Sequence, residues 1–152
     1  MKSEGLMKLQ ELVMQHSNTK YPNIPGHARV KPKFEDSTAN GLTLAVITWL
    51  ELNGHYCSRI QSQGQWNQTL GRFTKSTVRR GIGDIMAIIA GVTIMIEVKI
   101  GRDRLSEAQI KTQDEVTRSG GHYWIVKDFD SFMDNYKRLV SGWESEPSGK
   151  NN

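Results

Sequence analysis

Between Gly81 and Gly101 the chain reads GIGDIMAIIAGVTIMIEVKIG, two apolar runs broken by Ala90-Gly91 and carrying Asp84, Glu97 and Lys99. Runs this short, separated by a small-residue pair, read as two antiparallel strands near 84–90 and 92–100. A turn centred on Ala90-Gly91 sets residue 89 against 92, so paired positions sum to 181 and Asp84 falls opposite Glu97. A one-residue slip would send the two carboxylates to opposite faces. Lys99 lies two residues past Glu97 on the same face, about 7 Å along the strand.

Charge on a buried strand is costly unless it is paired or holds a metal. Two directly opposed carboxylates, with Cβ atoms roughly 5 Å apart, repel and destabilise a sheet. A divalent cation between them reverses the sign of that interaction, and oxygen ligands favour a hard ion, Mg²⁺ or Mn²⁺. A lysine beside such an ion can orient a water or stabilise negative charge developing on a phosphate. The arrangement suits metal-assisted hydrolysis of a phosphodiester. The alternative is an ordinary ion pair at the strand ends, with Lys99 bridging both acids.

The rest of the chain places this hairpin in a domain. Residues 3–16 have the periodicity of a short amphipathic helix, and YPNIPGHARVKPK, with three prolines, interrupts regular structure. EDSTAN supplies helix N-cap residues, after which Leu42, Ala45, Val46, Trp49 and Leu52 recur at helical spacing until Asn53-Gly54. HYCSRIQS reads as a strand and QWNQTLGRFT as a polar excursion compatible with a hairpin. A helix is expected from about Ser106 to Ser119, a strand at 122–127 and a C-terminal helix in DFDSFMDNYKRLV. The strand at 92–100, the helix and the strand at 122–127 make a right-handed βαβ crossover, so those strands are parallel. The implied fold is α/β, ordered α-β-β-β-α-β, with a small mixed sheet flanked by helices. The expected divisions are an N-terminal helix and extended arm (1–36), the main domain (37–140) and a flexible tail (141–152).

With 152 residues the chain can bury a core without staples, and its single Cys57 excludes an intrachain disulfide. No run is long and apolar enough to span a bilayer, and the acid-bearing N-terminus does not read as a signal peptide. A cytoplasmic setting is the expectation. Net charge is +4, but its distribution is uneven. From Asn53 to Gly83 there is no acid, while Arg59, Arg72, Lys75, Arg79 and Arg80 all fall there among glutamines, asparagines, Trp66 and Phe73. Such a stretch suits a polyanionic partner; a solvated basic loop is the alternative. Trp66 suits either base stacking or anchoring of the loop. His16, His27, His55 and His122 share no ligand spacing, and Gly81-x-Gly83 lacks the third glycine of a dinucleotide site.

A glycine-rich turn bearing Asp, a strand ending Glu-x-Lys and a following helix resemble the PD-(D/E)XK nucleases. More narrowly, RRGIGDIMAIIAGVTIMIEVKIGRDRLSEAQ resembles the VRR-NUC branch, the virus-type replication-repair nuclease domains, and the likeness extends over most of residues 39 to 132. The resemblance implies a restriction-endonuclease-like core and a Mg²⁺- or Mn²⁺-dependent deoxyribonuclease. Asp84, Glu97 and the main-chain carbonyl of Val98 would ligate the metal, and Lys99 would position or activate the water. Gln109 would sit beside the site, although Ser106-x-x-Gln109 is also a capping box. Arg79 and Arg80 would clamp phosphate, with Arg59, Lys75 and Arg102 as further DNA contacts.

Two departures stand out: Gly-x-Gly-Asp replaces the branch's usual Gly-x-Pro-Asp, and Asn40 occupies the region where many relatives carry a helix Glu. A one-metal site is therefore expected, with a second ion left open. The branch's stand-alone members look like junction or flap nucleases of phage and bacterial replication and repair, and cutting two strands would call for a homodimer. A non-catalytic DNA-binding module retaining this fold is the rival reading.

Overall fold

The computed structural model describes residues 3–144. The protein is a mixed α/β domain whose four-stranded mixed sheet is flanked by helices. Its elements are α1 (Glu4–Lys20), α2 (Ala39–Leu52), β1 (Tyr56–Arg59), β2 (Gln65–Asn67), β3 (Arg72–Thr74), β4 (Ile85–Ile89), β5 (Val92–Val98), α3 (Glu107–Arg118), β6 (His122–Val126) and α4 (Phe129–Glu144). The main sheet runs β1-β4-β5-β6, and β2 and β3 form a separate hairpin. The excursion thus inserts two short strands between β1 and β4. Helix α4 continues to Glu144, so residues 141–144 belong to it; the rest of the expected tail, 145–152, lies outside the described residues. No helix among the described residues is long and apolar enough to cross a membrane.

The central hairpin has the register read from its turn: Ile85 faces Ile96 and Ile89 faces Val92. Ala90 (φ 51°) and Gly91 (φ 77°) both take left-handed backbone, the conformation a two-residue type I′ turn requires. β5 and β6 are parallel, with Glu97 beside Ile125 and Met95 beside Tyr123, as a βαβ crossover demands.

Alternation along the strands sorts the side chains between two faces. Ile85, Ala87, Ile89, Ile94, Ile96, Val98, Trp124 and Val126 enter one core with Leu6 and Leu9 of α1, Leu42, Val46 and Leu50 of α2, and Phe129 and Phe132 of α4. Asp84, Met86, Met95, Glu97, Lys99 and Tyr123 fall on the other face, the side of α3.

Helix starts are tied down by distant carboxylates. Asp36 Oδ2 accepts from the Phe129 N–H at 3.0 Å, and Asp130 Oδ1 accepts from the Gly5 N–H at 2.8 Å. Both bonds satisfy donors that a helix cannot pair internally. Asp36→Ala is expected to cost about 1 kcal/mol, a fall of about 2–4 °C in melting temperature for a chain of this length. Thermal denaturation followed by circular dichroism checks it.

Candidate functional site

β5 begins at the Ala90-Gly91 turn and carries Glu97 to the far end of the hairpin, where Lys99 directly follows β5 and Asp84 directly precedes β4. Asp84 Oδ2 accepts from the Val98 N–H at 2.8 Å, while the Asp84 carbonyl accepts from the Ile60 N–H at 2.8 Å. Asp84 thereby ties β5 to the chain leaving β1. In extended backbone the N–H and C=O of one residue point to the same side, so the Val98 carbonyl faces the Asp84 side of the strand.

Glu97 is the most confined charge among the described residues, 4% exposed. Lys99 Nζ stands 3.0 Å from Glu97 Oε1, and Gln109 Nε2 donates to the same oxygen. The Tyr123 hydroxyl lies 3.4 Å from Glu97 Oε2 and 3.3 Å from the Gly81 carbonyl oxygen, two acceptors for its single proton. Burial first, and then the nearby Asp84 carboxylate, push the Glu97 pKa up; the Lys99 ammonium opposes them. Burial and the Glu97 charge raise the Tyr123 pKa, which keeps that hydroxyl a proton donor. Two acids and one cation leave this pocket short of positive charge, the condition in which an added cation stabilises both carboxylates.

Gln109 serves two purposes. Its Oε1 accepts from the Ser106 N–H at 2.8 Å, and its backbone N–H reaches Ser106 Oγ at 3.3 Å, closing the capping box of α3. The remaining amide nitrogen is what meets Glu97. The cap therefore orients the side chain that fixes the carboxylate.

Gly81 and Gly83 give the turn before Asp84 its close approaches. Gly81 has φ +79°, and a Cβ there would sit 2.2 Å from the Ala108 carbonyl oxygen in the first turn of α3. A Cβ on Gly83 would lie 2.7 Å from the Ile96 carbonyl oxygen of β5. The loop runs against α3 on one side and the strand on the other, and this delivers Asp84 to its position.

The basic residues are distributed more widely. Arg59 Nη2 donates to Asn40 Oδ1 at 2.6 Å, and these two line a cleft of about 470 Å³ together with Asp84, Gln63 and Gln65. The Asn40 oxygen that could serve as a ligand is engaged by Arg59 in this arrangement. Lys75 and Arg80 line a neighbouring cleft of about 560 Å³ that shares Ser62, Gln63 and Gly64 with the first. Arg79 is turned to Glu115 of α3, with which it forms an ion pair, so it already has an anionic partner. Arg102 is exposed in the loop between β5 and α3. A cleft of about 670 Å³ at the opposite end of the sheet is lined by Ala90, His122, Trp124 and Arg138 and contains none of the expected site residues.

Sequence reasoning did not identify Tyr123. It is the parallel register of β6 with β5, visible only in the structure, that sets residue 123 diagonally from Glu97. Among the described residues no group of three or more His, Cys, Asp or Glu side chains could hold an ion. Any metal here would rest on two carboxylates, a main-chain carbonyl and water. No protein-family model, curated protein or solved structure matches this chain.

Proposed function

We propose that this protein is a Mg²⁺- or Mn²⁺-dependent endonuclease that hydrolyses DNA phosphodiester bonds on a PD-(D/E)XK core of the VRR-NUC kind. The observation that carries the reading is the convergence of Asp84, Glu97, Lys99 and Gln109 at one end of a mixed sheet, with Lys99 3.0 Å from a nearly buried Glu97. The donors fit a hard ion: all are oxygens, and Mg²⁺ needs only one or two carboxylates because it keeps several waters. When bound, such an ion would neutralise phosphate charge and lower the pKa of a coordinated water.

The protein's own groups divide the remaining work. Asp84, Glu97 and the Val98 carbonyl would hold the ion, and Gln109 holds the Glu97 carboxylate in one orientation. Lys99 presents an ammonium to the attacking water or to charge developing on the phosphoryl oxygens. Arg59, on the cleft that includes Asp84, suits a phosphate of the bound strand. One site cuts one strand, so severing a duplex calls for a second copy of the chain.

The rival is a DNA-binding module that keeps the fold without cleaving. It draws support from the engagement of both Glu97 oxygens by Lys99, Gln109 and Tyr123. Wild type, Asp84→Asn and Lys99→Ala, incubated with labelled branched and linear DNA in Mn²⁺, Mg²⁺ or EDTA, separate the two. The nuclease predicts metal-dependent cleavage that Asp84→Asn abolishes and Lys99→Ala slows by about 10²- to 10⁴-fold. Equal cleavage by wild type and Asp84→Asn would reject this site; binding by all three without cleavage would establish the rival.

A further inference from the structure

The β2–β3 hairpin presents an aromatic pair that contributes nothing to the core. Trp66 and Phe73 face each other across the strands, ring centroids 5.3 Å apart and edge to face, yet Trp66 is 56% and Phe73 72% exposed. An anchoring tryptophan would be buried against the sheet. Leu70 at the hairpin's tip is also exposed. Aromatic surface left in water is unfavourable unless a partner covers it.

The surroundings indicate the partner's chemistry. Asn53 to Gly83 contains no acid, and Arg72 adjoins Phe73 in β3. Phe73 lines the same cleft as Lys75 and Arg80, and that cleft meets the Asp84 cleft along Ser62, Gln63 and Gly64. Cations, amides and the Phe73 ring therefore form one track leading to the candidate site, with Trp66 packed edge to face on Phe73 beside it. An acidic protein could satisfy the cations, but it would have to bring a separate apolar patch to cover the rings. A nucleic-acid strand supplies both phosphates and planar bases.

We propose that Trp66 and Phe73 form a stacking platform for unpaired bases of the strand that enters the Asp84–Glu97 site. The identification of that strand as substrate rests on the nuclease reading; the platform itself does not. Phosphates follow Lys75, Arg80 and Arg59, while bases splayed from the duplex stack on the exposed rings. The preferred ligand is single-stranded DNA or the unpaired arm of a branched molecule, in preference to a continuous duplex, whose bases are already stacked.

Binding of the full chain to fluorescein-labelled oligonucleotides in EDTA tests this apart from cleavage. Fluorescence anisotropy is measured with single-stranded, flapped and fully duplex DNA for wild type, Trp66→Ala, Phe73→Ala and Trp66→Phe, each checked for folding by circular dichroism. Trp66→Ala is expected to weaken single-strand and flap binding by about tenfold or more and duplex binding much less, with Trp66→Phe restoring most of the loss. Unlabelled single-stranded DNA should quench wild-type tryptophan fluorescence, and Trp66→Ala should lose that quenching. Undiminished single-strand binding by folded Trp66→Ala and Phe73→Ala overturns the platform even where wild type cleaves DNA. Equal losses on all three DNAs overturn it as well. Selective loss in the variants of a protein whose wild type never cleaves upholds the platform and discards the nuclease. Absence of DNA binding by wild type overturns the platform outright.

Discussion

Exchanging Glu97 for glutamine is expected to reduce metal-dependent cleavage by about a thousandfold or more while leaving the fold in place. The two outcomes have separate causes. Glutamine nearly matches glutamate in shape and keeps one oxygen, so Gln109 and Lys99 retain an acceptor near Glu97 Oε1. It does not carry the charge that burial and Asp84 already disfavour at this position. The melting temperature should therefore move by no more than about 4 °C, equivalent to about 1 kcal/mol for a chain this long. On the nuclease reading cleavage would fail because an amide oxygen opposite Asp84 removes one of the two negative charges that would hold the cation. Parallel melting curves and single-turnover cleavage in Mn²⁺ check both halves. A variant that melts far lower would mark Glu97 as a structural ion-pair residue.

The second large effect belongs to Gly81. Alanine there meets two obstacles at once: a φ of +79°, and the Ala108 carbonyl oxygen 2.2 Å from the new Cβ, with the Gln109 nitrogen at 2.8 Å. The left-handed conformation alone costs about 1–2 kcal/mol for a non-glycine residue. Relieving the clash requires backbone to move, because both obstructing atoms are main chain. The first turn of α3 then shifts, and with it the side chain of Gln109, or the loop moves and takes with it the Gly81 carbonyl that faces Tyr123. Gly81→Ala should lose about 3 kcal/mol or more, within the range for strained and overpacked positions, and cleavage should fall with it. Gly120→Ala is the control. Its φ is +86°, but a Cβ there meets nothing within 4 Å, so it carries the strain without the clash. Urea denaturation of both variants isolates the close approach to α3 as the difference between them.

The parts of the fold that were legible from residues alone share a physical trait. The β4–β5 register followed from one turn, because a two-residue connection leaves no freedom in how the strands align. That count put Asp84 opposite Glu97 and Lys99 on the same face. Gln109 was legible as a cap through its local spacing from Ser106; its place beside the site was expected only through the family resemblance, and its contact with Glu97 was not foreseen. Tyr123 was not legible. A parallel pair is joined through a helix, so no turn fixes which residue of β6 lies beside which residue of β5. Arg79 shows the same limit for charge: its partner Glu115 is 36 positions away, and a basic run does not reveal which of its members a distant acid has claimed. The exposure of Trp66 likewise depends on what the hairpin fails to pack against, which composition does not convey.

The alternation along β5 has a further consequence. Ile94, Ile96 and Val98 hold the domain together, while Met95, Glu97 and Lys99, interleaved with them, face the opposite way. Folding and the proposed chemistry occupy Val92–Val98 and the residue that follows it, but different sides of them. Selection could exchange the polar residues on the α3 side without touching the apolar layer on the other. A decayed or repurposed descendant of this domain would keep its odd-and-even pattern of bulk long after its charges had gone.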